Sequence, residues 1–121
     1  MRPLVLAAVG VLFAGMGAYA LAAPAALARP FGLSASTAVS RTEIRAVYGG
    51  FGIAVAGVLL WSALDSDDVR TGAALTVGFA LAGMAGGRLV SSLLDTRMRF
   101  YPIWFYCLVE LAGAGLVLGV A

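Results

Sequence analysis

The sequence contains no Lys, His, Asn or Gln, and Cys107 is its only cysteine. The missing histidine and lysine exclude His-based triads, His-ligated metals, Schiff-base chemistry and the lysine of a phosphate-binding loop. A lone cysteine excludes an intramolecular disulfide scaffold. Charge is scarce as well: eight arginines and six acidic residues make up 12% of the 121 residues, against roughly 25% in an ordinary soluble domain. In its place the chain is 62% hydrophobic, with a mean hydropathy of +1.00. A soluble domain this small needs a mostly polar surface, and these residues cannot supply one. Soluble globular, disordered and nucleic-acid-binding classes are therefore excluded, and no nucleic-acid partner is expected. The composition is that of a membrane protein.

A bilayer core about 30 Å thick requires roughly 20 apolar residues per helix. Four stretches meet that length, giving spans at about residues 4–23, 42–64, 71–94 and 103–121. The connections are short, so neighbouring spans run antiparallel. The expected fold class is all-α, a single integral membrane four-helix bundle over residues 1–121. The first span also imitates a secretory signal, with Met1-Arg2 ahead of an apolar run and Ala18-Tyr19-Ala20 as a cleavage-like site. The apolar run continues past Ala20, so it is read as an uncleaved helix.

All eight positive charges are arginines, and their placement orients the bundle. Arg29 and Arg41 fall in the first connection, Arg45 lies just beyond, and Arg97 and Arg99 fall in the third. The other side has Arg2 and Arg70, the latter offset by Asp65, Asp67 and Asp68. The positive-inside rule then puts the first and third connections in the cytoplasm and both termini outside. Trp61 and the cluster Phe100, Tyr101, Trp104, Phe105 and Tyr106 mark span ends, as interfacial aromatics do. The apolar stretch from Arg29 to Ser40 is too short to cross, and its Arg29-Pro30-Phe31-Gly32-Leu33 start suggests a segment in the headgroup region.

Ionisable groups inside a membrane cost about 2.5–3.5 kcal/mol each on insertion scales, so each is a functional candidate. Glu43 and Arg45 start the second span. Arg88 lies ~9 Å inside the end of the third, and Glu110 ~10 Å inside the start of the fourth. All four share one half of the bilayer. With Asp95, Tyr48, Tyr106, Ser91 and Ser92 they would line one polar cavity. Arg88, Ser91, Ser92 and Asp95 form a stripe at helical spacing, and Arg45, Tyr48, Gly49 and Gly52 form another. The glycines of the second stripe leave room for a ligand tail. The ligand-binding candidates are thus Glu43, Arg45, Tyr48, Arg88, Ser91, Asp95 and Glu110, with no metal site, no cofactor and no assignable catalytic residue.

Each of these residues also has a plainer use. Ser40-Arg41-Thr42-Glu43 fits a capping box, Arg88 and Glu110 fit a buried interhelical ion pair, and Arg45 could snorkel to phosphates. Asp95 could simply end the third span. The Asp65–Asp68 turn fits a helix cap better than a calcium loop. Small residues at Gly83–Gly87 and Gly115–Gly119 suit helix packing within the bundle or in a homodimer.

The elements Thr42-Glu43-Ile44-Arg45-Ala46-Val47-Tyr48-Gly49-Gly50, Gly87-Arg88-Leu89-Val90-Ser91 and Tyr101-Pro102 carry a resemblance. Through them nearly the whole chain resembles a family of uncharacterised bacterial four-helix membrane proteins, a domain of unknown function, and is loosely similar to the DoxX-like group. The resemblance implies a small inner-membrane protein without supplying an activity. The looser one implies kinship with accessory subunits of redox or assembly systems.

The expected function is therefore non-enzymatic: a bacterial inner-membrane protein whose cavity binds a lipid, isoprenoid or quinone-like head group, as an accessory subunit of a larger complex. The expected partners are membrane lipids, such a ligand, and a second copy or another membrane protein. Three alternatives stand beside it: a membrane-embedded lipid isomerase using Glu43 or Glu110 as acid/base, a small transporter, and a purely structural partner.

Overall fold

Each of the four apolar stretches forms one long helix in the computed structural model, which describes residues 1–98 and 100–121. Arg99, placed by the sequence in the third connection, lies outside the described residues. Helix α1 spans Arg2–Ala22 and begins with Pro3, whose missing N–H costs nothing in a first turn. Pro24 starts the short α2, Pro24–Ala28, and a 3₁₀ turn over Arg29–Phe31 continues it. Gly32 ends that turn at φ 69°, a left-handed conformation that a side chain would strain. Helix α3 spans Ala38–Ala63 and α4 spans Asp68–Leu94. Helix α5, Phe105–Val120, is entered through a wide turn at Phe100–Trp104 in which Tyr101 is extended. The described residues contain no strand, and the expected all-α class is borne out.

The start of α3 differs from the sequence reading. Thr37, rather than Ser40, is the N-cap, its hydroxyl oxygen accepting from the Ser40 amide at 3.1 Å. Ser40 and Glu43 therefore sit inside the helix, and no capping box forms between them. Further on, α3 widens into a π-type turn over Arg45–Gly50. Such a turn rotates the later part of a helix relative to the earlier part.

Helix α1 packs along α3, and α4 along α5; contacts between these two pairs are sparser. Glycines set the α1–α3 approach. A Cβ on Gly17 would come 2.9 Å from the Gly49 carbonyl oxygen, and one on Gly49 would come 2.7 Å from Leu21 Cδ2. Gly52 faces Gly17 Cα at 3.3 Å from its own notional Cβ. The open stripe expected along Gly49 is therefore filled by α1. Small residues serve here for close helix contact, as is common in membranes.

In the half nearer the termini, Leu6, Val9, Leu59, Ala74, Val77, Leu81, Ala114 and Val117 form a closed core. At the far end, Ala20, Leu27, Ala28 and Ile44 tie α2 to α1 and α3. The turns are satisfied by side chains. Arg2 Nη1 donates to the Ser62 and Asp65 carbonyls at 2.8 and 2.7 Å, covering the carbonyl end of α3. Asp67 caps α4 by accepting from the Arg70 amide at 2.8 Å. Arg70 in turn pairs with Asp65 and Asp67 and lies 4.7 Å over Trp61. The outer faces expose large apolar side chains such as Leu4, Val11, Phe79, Leu93 and Leu108. A soluble protein would not carry them, whereas a multi-pass membrane protein turns them to lipid.

Candidate functional site

The two charged residues set deepest in the bundle face one another across α4 and α5. Arg88 Nε donates to both carboxylate oxygens of Glu110, at 3.2 and 3.1 Å, and Nη2 donates to Oε1 at 2.9 Å. The antiparallel register of the two helices creates this meeting. One turn away on each helix, the Cys107 thiol lies 3.8 Å from the Ala85 carbonyl oxygen, a weak sulfur contact at the same crossing. Glu110 is 6% exposed. A carboxylate that buried is tolerable only with a partner, and the side-on edge of a guanidinium is the geometry that suits it best. The Arg88 guanidinium also lies 5.9 Å from the centre of the Tyr106 ring.

Beside this pair is a cavity of about 420 Å³, bounded by α1, α3, α4, α5 and the first connection. Its volume falls within the roughly 300–1,000 Å³ usual for small-molecule sites. Val9, Phe13, Met16, Leu81, Val109 and Gly113 supply much of its wall. Arg88, Glu110, Tyr48 and Tyr106 supply its polar groups. The core in the half nearer the termini shares Val9 and Leu81 with the wall. At the other end Leu27 and Phe31 join the wall, and the Phe31 and Tyr106 rings meet with centroids 5.3 Å apart. Several lining residues are exposed on the outer faces of their helices: Leu12 on α1, Val47, Tyr48 and Phe51 on α3, Met84 on α4, and Ala112 and Leu116 on α5.

Of the seven candidate residues, the structure brings Arg88, Glu110 and Tyr48 to this cavity. The others stand apart from its wall. Arg45 turns back to α1, where Nε donates to the Leu21 carbonyl at 3.0 Å and satisfies one of the last carbonyls of that helix. The wide turn after it explains the separation, because the even helical spacing that joined Arg45 to Gly52 is broken there. Glu43 is exposed on the first turns of α3, and Ser91 is exposed on α4. Asp95 caps the end of α4 and accepts from the Thr96 amide at 2.8 Å. It borders a separate surface hollow of about 520 Å³ with Ser92, Arg97 and Trp104. The cavity is thus mainly apolar, with one ion pair, where the sequence suggested a polar one.

The sequence reading missed the contribution of α1 and of the first connection. Helix α1 carries no charge inside the membrane, and an apolar side chain lining a cavity looks like one facing lipid. A signal did exist for Phe31, in the Arg29-Pro30-Phe31-Gly32 break, where the structure forms a 3₁₀ turn ended by Gly32.

Among the described residues, no group of His, Cys, Asp or Glu side chains is placed to hold a metal ion. Residues 2–121 match a family described as a domain of unknown function (DUF4345). The chain belongs to that family. No curated protein and no solved structure matches it.

Proposed function

We propose that this protein is a non-enzymatic lipid-binding protein of a bacterial inner membrane. In this reading the cavity receives one membrane-borne molecule, a lipid, isoprenoid or quinone-like compound. Its head rests beside Arg88 and Glu110 and its tail runs out between the helices. The observation that carries the reading is the cavity itself: apolar along most of its wall, and polar where Arg88, Glu110, Tyr48 and Tyr106 line it. That is the ordinary composition of a small-molecule site, in which a few polar groups fix orientation and apolar walls supply affinity.

Two features favour binding over chemistry or passage. Glu110 accepts three hydrogen bonds from Arg88, so its carboxylate is occupied rather than poised as a free acid or base. The cavity's exposed lining residues, such as Leu12, Phe51 and Leu116, are apolar, which suits a ligand already dissolved in the bilayer. The looser likeness to the DoxX-like group adds an accessory place in a larger membrane complex, and the arginine distribution adds both termini outside.

Native mass spectrometry of protein released from nanodiscs tests the reading. Wild-type protein should retain a lipophilic adduct through gentle activation. Gly113→Leu should lose most of it, because a notional Cβ there meets only the flexible end of Leu81, at 3.3 Å, and a larger side chain would enter the cavity. Equal retention by both proteins, with equal thermal midpoints, would leave the ion pair as a structural strut and overturn the reading.

A further inference from the structure

The pair at the cavity wall is complete without a ligand, and this restricts what a ligand can be. Arg88 directs Nε and Nη2 to Glu110, while Nη1 makes no hydrogen bond among the described residues. The side chain that carries this donor lines the cavity. Arg88 and Glu110 together carry no net charge. Among the described residues no other Asp, Glu or Arg lines the cavity; the remaining polar side chains there are the tyrosines Tyr48 and Tyr106.

An anionic head would compete with Glu110 for the same guanidinium. Bidentate contact at the free Nη1–Nη2 end of the guanidinium would exchange a neutral pair for two negative charges sharing one cation, with no other cation on the wall among the described residues. Low surrounding polarity makes that exchange unfavourable. A cationic head meets the reverse problem, because it would set a second positive charge beside Arg88 with one carboxylate between them. An uncharged head with an acceptor oxygen disturbs nothing: it takes the spare Nη1 donor and leaves the pair intact. Charge-assisted hydrogen bonds are the strong ones, so a single carbonyl or hydroxyl oxygen suffices to fix the head.

Building on the cavity-binding reading above, we propose that the site selects uncharged head groups bearing a carbonyl or hydroxyl oxygen and discriminates against anionic ones. The Arg88–Glu110 pair is the filter. Glu110 makes Arg88 a neutral-head donor by cancelling its charge.

Farnesol and farnesyl phosphate test this directly, since they share a tail and differ in the head group, an uncharged hydroxyl against an anionic phosphate. Equilibrium binding of each radiolabelled compound is measured on full-length protein in phosphatidylcholine nanodiscs, with empty nanodiscs subtracted. Farnesol should bind saturably, and farnesyl phosphate about tenfold more weakly or worse, the loss expected when a charged group is left without its partner. Glu110→Gln keeps the shape but releases the Arg88 charge, and should reverse the order of the two compounds. Should that variant not fold, the wild-type comparison decides alone. Farnesyl phosphate binding as tightly as farnesol to wild-type protein would overturn the neutral-head proposal and leave the cavity reading standing. Binding of both compounds that Gly113→Leu does not reduce would overturn the cavity reading as well.

Discussion

Arg88 and Glu110 are joined by three hydrogen bonds, Nε to both carboxylate oxygens and Nη2 to Oε1, in the interior of a chain with only fourteen charged residues. Each charge makes the other tolerable, and among the described residues no other charged side chain lines the cavity. The pair also forms the polar part of the cavity wall, so it bears on stability and on ligand choice together.

The stability side predicts strong non-additivity. Arg88→Leu or Glu110→Leu alone should lower stability in detergent by about 3–5 kcal/mol, since each leaves a stranded buried charge. The double substitution should cost much less than the sum. Chemical or thermal unfolding of the four proteins completes the cycle, and additive losses would mean the two side chains do not support each other.

A second prediction concerns the α1–α3 contact. Gly17→Ala should destabilise by about 1–3 kcal/mol, because the new methyl meets a backbone oxygen that cannot step aside. Gly15 has open space around its notional Cβ. Gly15→Ala should therefore be neutral, or gain up to about 1 kcal/mol from helix propensity. Equal losses at both positions would show that α1 does not approach α3 through Gly17.

Most of the architecture was legible in the sequence because bilayer thickness dictates span length, and charge-free runs announce spans. A helix cap within the turn at residues 65–68 and the Arg88–Glu110 pairing were legible for similar reasons, since helix starts and helix depth come from counting residues; that Asp67 is the cap comes from the structure. The remaining candidates depended on phase. Arg45 was placed on the face of Gly52 by assuming an unbroken helix, and the wide turn at Arg45–Gly50 removes that assumption. Thr37 and Ser40 are both good caps, and nothing local ranks one over the other. The cavity was legible only at its charged point. Its walls come from Phe13, Met16, Leu27 and Val109, whose sequence signature is the same whether they face lipid, core or an empty space.

The arginine distribution predicts the orientation. Ser66→Cys, in the turn between α3 and α4, should react with a membrane-impermeant maleimide in intact cells, and Arg97→Cys should react only after permeabilisation. The native Cys107 is buried and adds little background. The opposite pattern would place both termini in the cytoplasm.

Mapping where a ligand sits is the most direct test of the cavity reading. Full-length protein in nanodiscs is irradiated with a tritiated farnesol analogue bearing a diazirine near its hydroxyl, and the labelled residues are located by peptide mass spectrometry. The account predicts labels at Met84–Arg88 on α4 and Tyr106–Gly113 on α5, competed away by excess farnesol and reduced in Gly113→Leu. Labels confined to outward residues such as Phe79, Leu93 and Leu108, and indifferent to competitor, would contradict it.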